Sequence, residues 1–241
     1  MHSLQSLDRN LRRGDTAAAR AIEALSPQRG RAYRHSAAKR AADILLSAVG
    51  LFLSGPLIFL LLAIGKIVDP DHPAFFVQER VGPGLKPLGV VKLRSMHRLG
   101  GKNGVNASAT VLRPGEASGG LHDPSRVTAF GRLLRTYHLD ELPQLVHVLH
   151  GDLSLVGIRV LPLPVYRYLE RTWSSERFAA WAEAYDDGPL GLTGVHQVYR
   201  KGGKEDAKRF HRDMFYTRRA SLGLDLYLIW RTVVSWGRAR E

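Results

Sequence analysis

The chain has 241 residues, and 44% hydrophobic with 24% charged content fits a folded protein rather than a disordered one. Its 35 basic against 22 acidic side chains give a net charge of +13, which calls for an anionic partner: nucleic acid, anionic lipid headgroups or a phosphorylated substrate. Cysteine is absent, so disulfides, thiolate catalysis and cysteine-bound zinc are excluded.

Residues 1–38 form a basic extension, with a short helix predicted at TAAARAIEAL (16–25). Residues 44–65, ILLSAVGLFLSGPLIFLLLAIG, then carry no charge. As a helix they would reach roughly 33 Å, the thickness of a bilayer core. A buried core helix is the alternative. The segment starts too late for a signal peptide and no small-residue cleavage site follows it. Ser54-Gly55-Pro56 lies at its centre, where proline removes a helix hydrogen bond and predicts a break or sharp kink. Residues 1–43 hold nine Lys/Arg against four acids, and residues 66–102 hold seven against three. Basic flanks favour the cytoplasm, so both ends on one side is the reading they support. A re-entrant bend and a kinked span are both compatible with the composition.

Residues 75–96 read as a β-hairpin: FFVQERVG and LGVVKLRSM are strand-prone, with turn chemistry at PGLKP between them. Residues 99–120 are rich in Gly, Ser and Asn and read as a long loop. Helices are predicted at 126–136, 143–150, 162–185 and 206–236. The third carries Tyr166, Leu169, Trp173, Phe178, Trp181 and Tyr185, and the last carries Tyr227, Trp230 and Trp236. Aromatics with arginines on amphipathic helices suit a membrane interface, and they equally suit an ordinary core.

Asp140 and Glu141 are adjacent, with Pro143 two residues on. Proline belongs in a first helical turn, so the pair falls at a helix start. Capping of free backbone N–H groups is one reading there. A nucleophile or metal ligand is another, because a carboxylate at that place stays ionised. Arg126, Arg132 and Arg135 lie upstream, and GDLSLVGIR, ending at Arg159, lies downstream. Arginine forks match phosphate oxygens, and Mg²⁺ binds through one or two carboxylates plus substrate phosphates. His147 and His150 are three apart on a helix, without a third ligand.

These pieces resemble, in order, the bacterial sugar transferases, the monotopic polyprenyl-phosphate phosphoglycosyl transferases, in their small form without the extra transmembrane helices of larger relatives. The likeness runs from KRAAD (39–43) through FVQERVG (76–82), KLRSM (92–96), DPSRVTAFGRLLR (123–135), LDELPQL (139–145), GDLSLVGIR (151–159), GLTGVHQV (191–198) and DMFYTRRASLGLDLYLIWRTV (213–233). It implies an α+β, mainly helical fold: a re-entrant helix-break-helix at 39–68, bent at Ser54, Gly55 and Pro56, and a cytoplasmic catalytic domain at 69–241 with a β-hairpin and amphipathic interfacial helices. It implies that Asp140 attacks the β-phosphate of a UDP-sugar and expels UMP, that Glu141 holds Mg²⁺, and that polyprenol (undecaprenyl) phosphate then accepts the sugar phosphate. By motif position Arg135 and Arg159 would bind phosphate, with Arg94, Asp213, Lys92 and Arg80 near the site. The implied place is the cytoplasmic face of a bacterial inner membrane, among membrane lipids, with a homodimer left open. No nucleic-acid module is recognisable, so nucleic acid is not an expected partner.

Three motifs depart from the family pattern. Gly55 stands where serine is usual before the bend proline. Ile158 and Val160 replace the prolines that flank the family's arginine, and Leu190 replaces a proline before GLTG. The middle departure motivates an alternative, a catalytically inactive membrane scaffold in a glycan-assembly complex. The intact Asp140, Glu141, Arg135 and Arg159 argue for an enzyme.

Overall fold

The computed structural model describes residues 28–96, 127–199 and 206–235. The helix expected at 16–25, the loop expected at 99–120, Arg126 and Trp236 lie outside the described residues.

A short helix, α1 (Gln28–Arg34), leads into α2 (Ala37–Val68), which is long and apolar enough to cross a membrane. Ser36 starts it by accepting from the Lys39 N–H. The helical backbone continues through Pro56, so of the expected break or sharp kink the break is absent. A proline deletes only one donor, and the turns on either side keep theirs. Ser54 Oγ donates to the Gly50 carbonyl at 2.7 Å, the back-bonding that bends helices. The core-helix alternative fails, because Phe52 (83% exposed), Leu53, Phe59 and Leu60 face outward.

Both ends of α2 are fastened to the rest of the protein. At its start Lys39 Nζ lies 3.0 Å from Asp43 and 2.8 Å from Asp225, all three buried. Asp43 accepts from Ser154 Oγ (2.8 Å) and the Leu155 N–H (3.1 Å), and Asp225 accepts from the hydroxyls of Tyr33 and Tyr216. Arg40 donates to the carbonyls of Val148 and Leu149, satisfying a helix C-terminus. At its far end Leu61 joins Leu93 and Leu134 in a small core.

The hairpin is as expected: β1 (Phe75–Val81) pairs antiparallel with β2 (Pro87–Leu93), from Phe75 opposite Leu93 to Val81 opposite Pro87. Then come α3 (Ala129–Thr136), a 3₁₀ turn (Leu139–Gln144) and α4 (Leu145–His150). A three-stranded parallel sheet escaped the sequence reading: β3 (Ser154–Val156), β4 (Ile158–Arg159) and β5 (Leu190–Thr193), in the order β3-β5-β4. Strands of two to four residues leave too little alternation to detect.

The helix expected at 162–185 is two, α5 (Leu163–Thr172) and α6 (Ser175–Asp186), because Trp173 and Ser174 take extended backbone between them. After α7 (Val195–Tyr199), the helix expected at 206–236 is also two, α8 (Asp206–Arg219) and α9 (Leu222–Ser235), where Ser221 Oγ accepts from the Leu224 N–H. The aromatics of α5 and α6 are core, not interfacial. Tyr166, Trp181 and Tyr185 are buried, and the Trp181 and Tyr185 rings stand 4.9 Å apart. On α9 the exposed Leu222, Leu226, Trp230, Val233 and Val234 do form an apolar face.

Candidate active site

The 3₁₀ turn that carries the acidic pair packs on β2. It opens at His138, held in the left-handed region (φ 52°, ψ 24°) with no side-chain capping bond. Asp140 therefore lies inside the first turn and does not serve as its cap. Asp140, Leu142, Pro143 and Gln144 are buried and Glu141 is partly exposed beside them.

Cations reach the pair from separate elements. Lys92 Nζ, from β2, lies 2.8 Å from Glu141 Oε1, and Arg159 Nη2, from β4, lies 2.7 Å from the same oxygen. Arg159 Nη1 also donates to the Leu192 carbonyl at 3.3 Å. Arg135, on α3, donates from Nε to Ser95 Oγ at 2.9 Å and bears electrostatically on Asp140. Arg80, on β1, is buried and faces the charges of Arg159 and Glu141. Two close backbone approaches set this geometry. A Cβ on Gly131 would stand 1.9 Å from the Ser95 carbonyl oxygen, so only glycine lets α3 lie on the end of β2 with Arg135 one turn later. A Cβ on Gly191 would stand 2.1 Å from the Gly157 nitrogen, where the chain crosses β5 on its way from β3 to β4 and Arg159.

The environment separates the two carboxylates. Burial pushes Asp140 up to about 6; the Glu141 charge adds to this, and Lys92 and Arg135 offset only part of it. Burial would raise Glu141 too, but Arg159 and Lys92 outweigh it and hold that carboxyl well below the usual range. Burial lowers Lys92, and burial with repulsion from Arg159 brings Arg80 down to about 10. The glutamate of Arg159 raises that guanidinium further.

Asp213 is buried on α8, accepts from Trp181 Nε1 at 2.9 Å and is pushed up to about 6 by burial, which Arg209 and Arg212 offset only in part. Arg94 donates to the Pro73 carbonyl at 2.7 Å and lies over the Phe76 ring. Ser154 bonds Asp43, while His147 and His150 both face Asp152, 3.1 and 3.2 Å away. Ile158 and Val160, in place of the expected prolines, are buried in the main core, so packing holds the Arg159 segment. Ser95, Gly131 and Tyr185 were missed. The Tyr185 hydroxyl ties the Val81 carbonyl to the Leu161 N–H beside Arg80. Only the glycine and serine spacing around the arginines hinted at the first two.

Among the described residues no three His, Asp or Glu side chains gather to enclose a metal by themselves. The pair still suits Mg²⁺, which takes one or two carboxylates and completes its shell from substrate phosphates and water. Glu141 is held ionised, and the ion pairs from Lys92 and Arg159 both fall on its Oε1.

The family model for bacterial sugar transferases matches residues 34–239. The chain is 36% identical, over 82% of its length and 68% of the relative's, to a UDP-glucose:undecaprenyl-phosphate glucose-1-phosphate transferase of Caulobacter vibrioides. It is 30% identical, over 81% of its length and 84% of the relative's, to the exopolysaccharide production protein ExoY of Rhizobium meliloti. A UDP-N-acetylgalactosamine-undecaprenyl-phosphate N-acetylgalactosaminephosphotransferase of Aeromonas hydrophila is 29% identical over 81% of this chain, which spans 42% of that longer protein.

Proposed function

The chain belongs to the bacterial sugar transferase family, and from that premise we propose that it transfers a sugar 1-phosphate from a UDP-sugar to polyprenol phosphate, releasing UMP. The observation that carries this reading is the pairing of Asp140 and Glu141 with Lys92, Arg159, Arg80 and Arg135, four positive charges against at most two negative ones. Such a surplus, largely buried, suits a diphosphate.

Asp140 is the nucleophile of this scheme. Its carboxylate oxygen forms a bond to the donor's β-phosphorus, the bond to the bridging oxygen breaks, and that oxygen leaves with UMP. An oxygen of the polyprenol phosphate then attacks the same phosphorus, and the bond to Asp140 breaks to restore the carboxylate. Burial leaves Asp140 poorly solvated, which favours attack. Arg135 orients it, while Lys92 and Arg159 keep Glu141 ionised and in place. Glu141 would hold Mg²⁺ with the donor's phosphates; when bound, that ion neutralises charge on the diphosphate. The product, a polyprenyl-diphosphate sugar, suits the first membrane step of a glycan pathway.

In the same reading α2 is re-entrant and the enzyme works at the cytoplasmic face of the inner membrane. Support comes from the fastening of both ends of α2, through Lys39 and Leu61, to one body, while Phe52–Leu60 projects. Cysteines introduced at Ser36 and His72 are expected to label from the cytoplasmic side alone, and labelling from opposite sides would make the helix a span.

Purified protein with Mg²⁺ and polyprenol phosphate, offered a panel of UDP-sugars, is expected to release UMP with at least one of them. Asp140→Asn is expected to release none. UMP release by that variant at the wild-type rate would refute the covalent scheme.

A further inference from the structure

The proposed chemistry uses neither histidine of α4, yet His147 reaches the strand that carries Lys92. Its Nε2 accepts from the Val91 N–H at 3.2 Å, and its Nδ1 lies 3.1 Å from Asp152 Oδ2. A backbone N–H can only donate, so Nε2 carries no proton. The neutral ring then has its proton on Nδ1, which donates it to Asp152. These two bonds assign the tautomer. Asp152 is itself held by the same residue, because the His147 carbonyl accepts from the N–H groups of Gly151 and Asp152 at 3.0 Å and of Leu153 at 3.2 Å. Its other carboxylate oxygen faces His150 at 3.2 Å. Ending α4 requires only the His147 carbonyl, which leaves the ring for β2.

Resting on the reading above, we propose that His147 is a positioning residue for Lys92: Asp152 fixes its tautomer, and its bare Nε2 pins β2 at Val91, so that the next residue delivers its ammonium to Glu141. Among the described residues β2 pairs only with β1, so backbone groups on its other edge need partners from outside the sheet. Two bonds leave adjacent residues of β2 for one stretch of chain. The Val91 N–H goes to His147, and the Lys92 ammonium goes to Glu141 at 2.8 Å. A lysine stem is flexible and holds its charge loosely by itself. The Val91 bond joins backbone to a planar ring, so it sets the spacing between β2 and the acidic turn before any Lys92 rotamer is chosen. A ring with the opposite tautomer would set an N–H against an N–H, and Asp152 is what makes His147 an acceptor.

The tautomer is read from ¹⁵N–¹H correlation of the imidazoles at pH 8, where an ordinary histidine is neutral. Nε2 of His147 is expected at the unprotonated position, and a protonated Nε2 would overturn the proposal. Exchange of labelled UMP into UDP-sugar, without lipid, reports the donor half of the reaction. His147→Leu keeps the bulk and removes the acceptor. It is expected to speed hydrogen exchange at the Val91 amide and to lower kcat for UMP exchange about tenfold, with the KM for UDP-sugar within about threefold of wild type. The side-chain oxygen of His147→Gln reaches the same N–H, so that variant is expected to stay within about threefold of wild type in kcat. A raised KM with unchanged kcat in His147→Leu would mean that the ring meets the donor directly, and no change in either would end the positioning role. The route through Lys92 is tested by combination: added to Lys92→Met, His147→Leu is expected to cost less than about twofold more in kcat. A further tenfold loss would show that the ring acts by another path. If His147→Leu does not fold, Asp152→Ala decides. It frees the ring to turn an Nε2–H toward Val91, and the Nε2 signal should shift toward the protonated position as kcat falls; an unshifted signal with wild-type kcat would remove Asp152 from the scheme. Wild-type protein with the expected tautomer and a protected Val91 amide, but no UMP exchange with any UDP-sugar, would reject the donor chemistry and leave the Val91 anchor standing.

Discussion

Asp140→Asn removes the proposed nucleophile, and it also removes a buried charge. The Asp140 carboxyl titrates near 6 in the folded protein, against an ordinary value of 3.8. A raised carboxyl favours the folded state while protonated, and its ionisation opposes folding, so its cost is absent below the unfolded value and complete above the folded one. A shift of about two units corresponds to about 3 kcal/mol at pH 8. At pH 5 the same linkage leaves about 1.6 kcal/mol, so the cost grows by roughly 1.4 kcal/mol over those three units. Asparagine brings an offset of its own, because its amide faces Lys92 and Arg135, but that offset does not titrate. The stability of Asp140→Asn relative to wild type is therefore expected to improve by this amount between pH 5 and pH 8. For a chain of this size that is a widening of roughly 3–6 °C in the difference of thermal midpoints. The assay is thermal unfolding in detergent at several pH values, without Mg²⁺ or substrate, at one scan rate for both proteins. A difference that stays constant from pH 5 to pH 8 would show that Lys92 and Arg135 already balance the burial, and the argument for a half-neutral Asp140 would fall.

The same shift sets the pH dependence of the donor half-reaction. UMP exchange is expected to lose about tenfold per pH unit below 6, since only ionised Asp140 attacks; a rate flat down to pH 4.5 would exclude it as the titrating group. Arg159→Lys keeps a charge but cannot reach both the Leu192 carbonyl and Glu141 with one planar fork, and kcat/KM for UMP release should fall at least about tenfold. Wild-type kcat/KM in that variant would mean that charge alone suffices. Lys39→Met leaves Asp43 and Asp225 buried without their shared cation, and should cost about 3–5 kcal/mol, read as a lowered unfolding midpoint or loss of folded protein. An unchanged midpoint would show that this contact does not hold α2 to α9.

What could be read ahead of the structure was what depends on short-range pattern. The hairpin at Phe75–Leu93 was legible because strand propensity and turn chemistry lie within one stretch, and the apolar helix because length and absence of charge suffice. The acidic pair was legible because Pro143 marks a turn and arginines surround it. Contacts between distant segments were not. Nothing local says that Lys92 and Arg159 share one oxygen of Glu141, or that Gly157 must cross Gly191 for Arg159 to reach it. The helix breaks at Trp173-Ser174 and after Arg219 went unseen because apolar and aromatic spacing runs across both, and that spacing records the core that each pair of helices shares. Arg94, which its motif neighbours put near the acidic pair, donates to the Pro73 carbonyl and lies over the Phe76 ring, two contacts that no local pattern announces.

The presence of two adjacent acids in a strongly basic chain follows from what each is required to do. Side by side in water they would titrate almost together. Here one carboxylate receives the Lys92 and Arg159 cations and is held ionised, while the other receives the burial and is pushed up to about 6. The ionised one is suited to holding a cation against phosphate oxygens without ever taking a proton. The raised one is poised to bond when ionised and to be released as a carboxylate when the acceptor arrives. In the proposed scheme the division of labour therefore lies in Lys92, Arg159 and the depth of Asp140. Arg135 bears on Asp140 and Arg80 on Glu141, so the positive charge around the pair exceeds its two carboxylates. In the proposed scheme that surplus, part of the chain's +13, meets an incoming diphosphate.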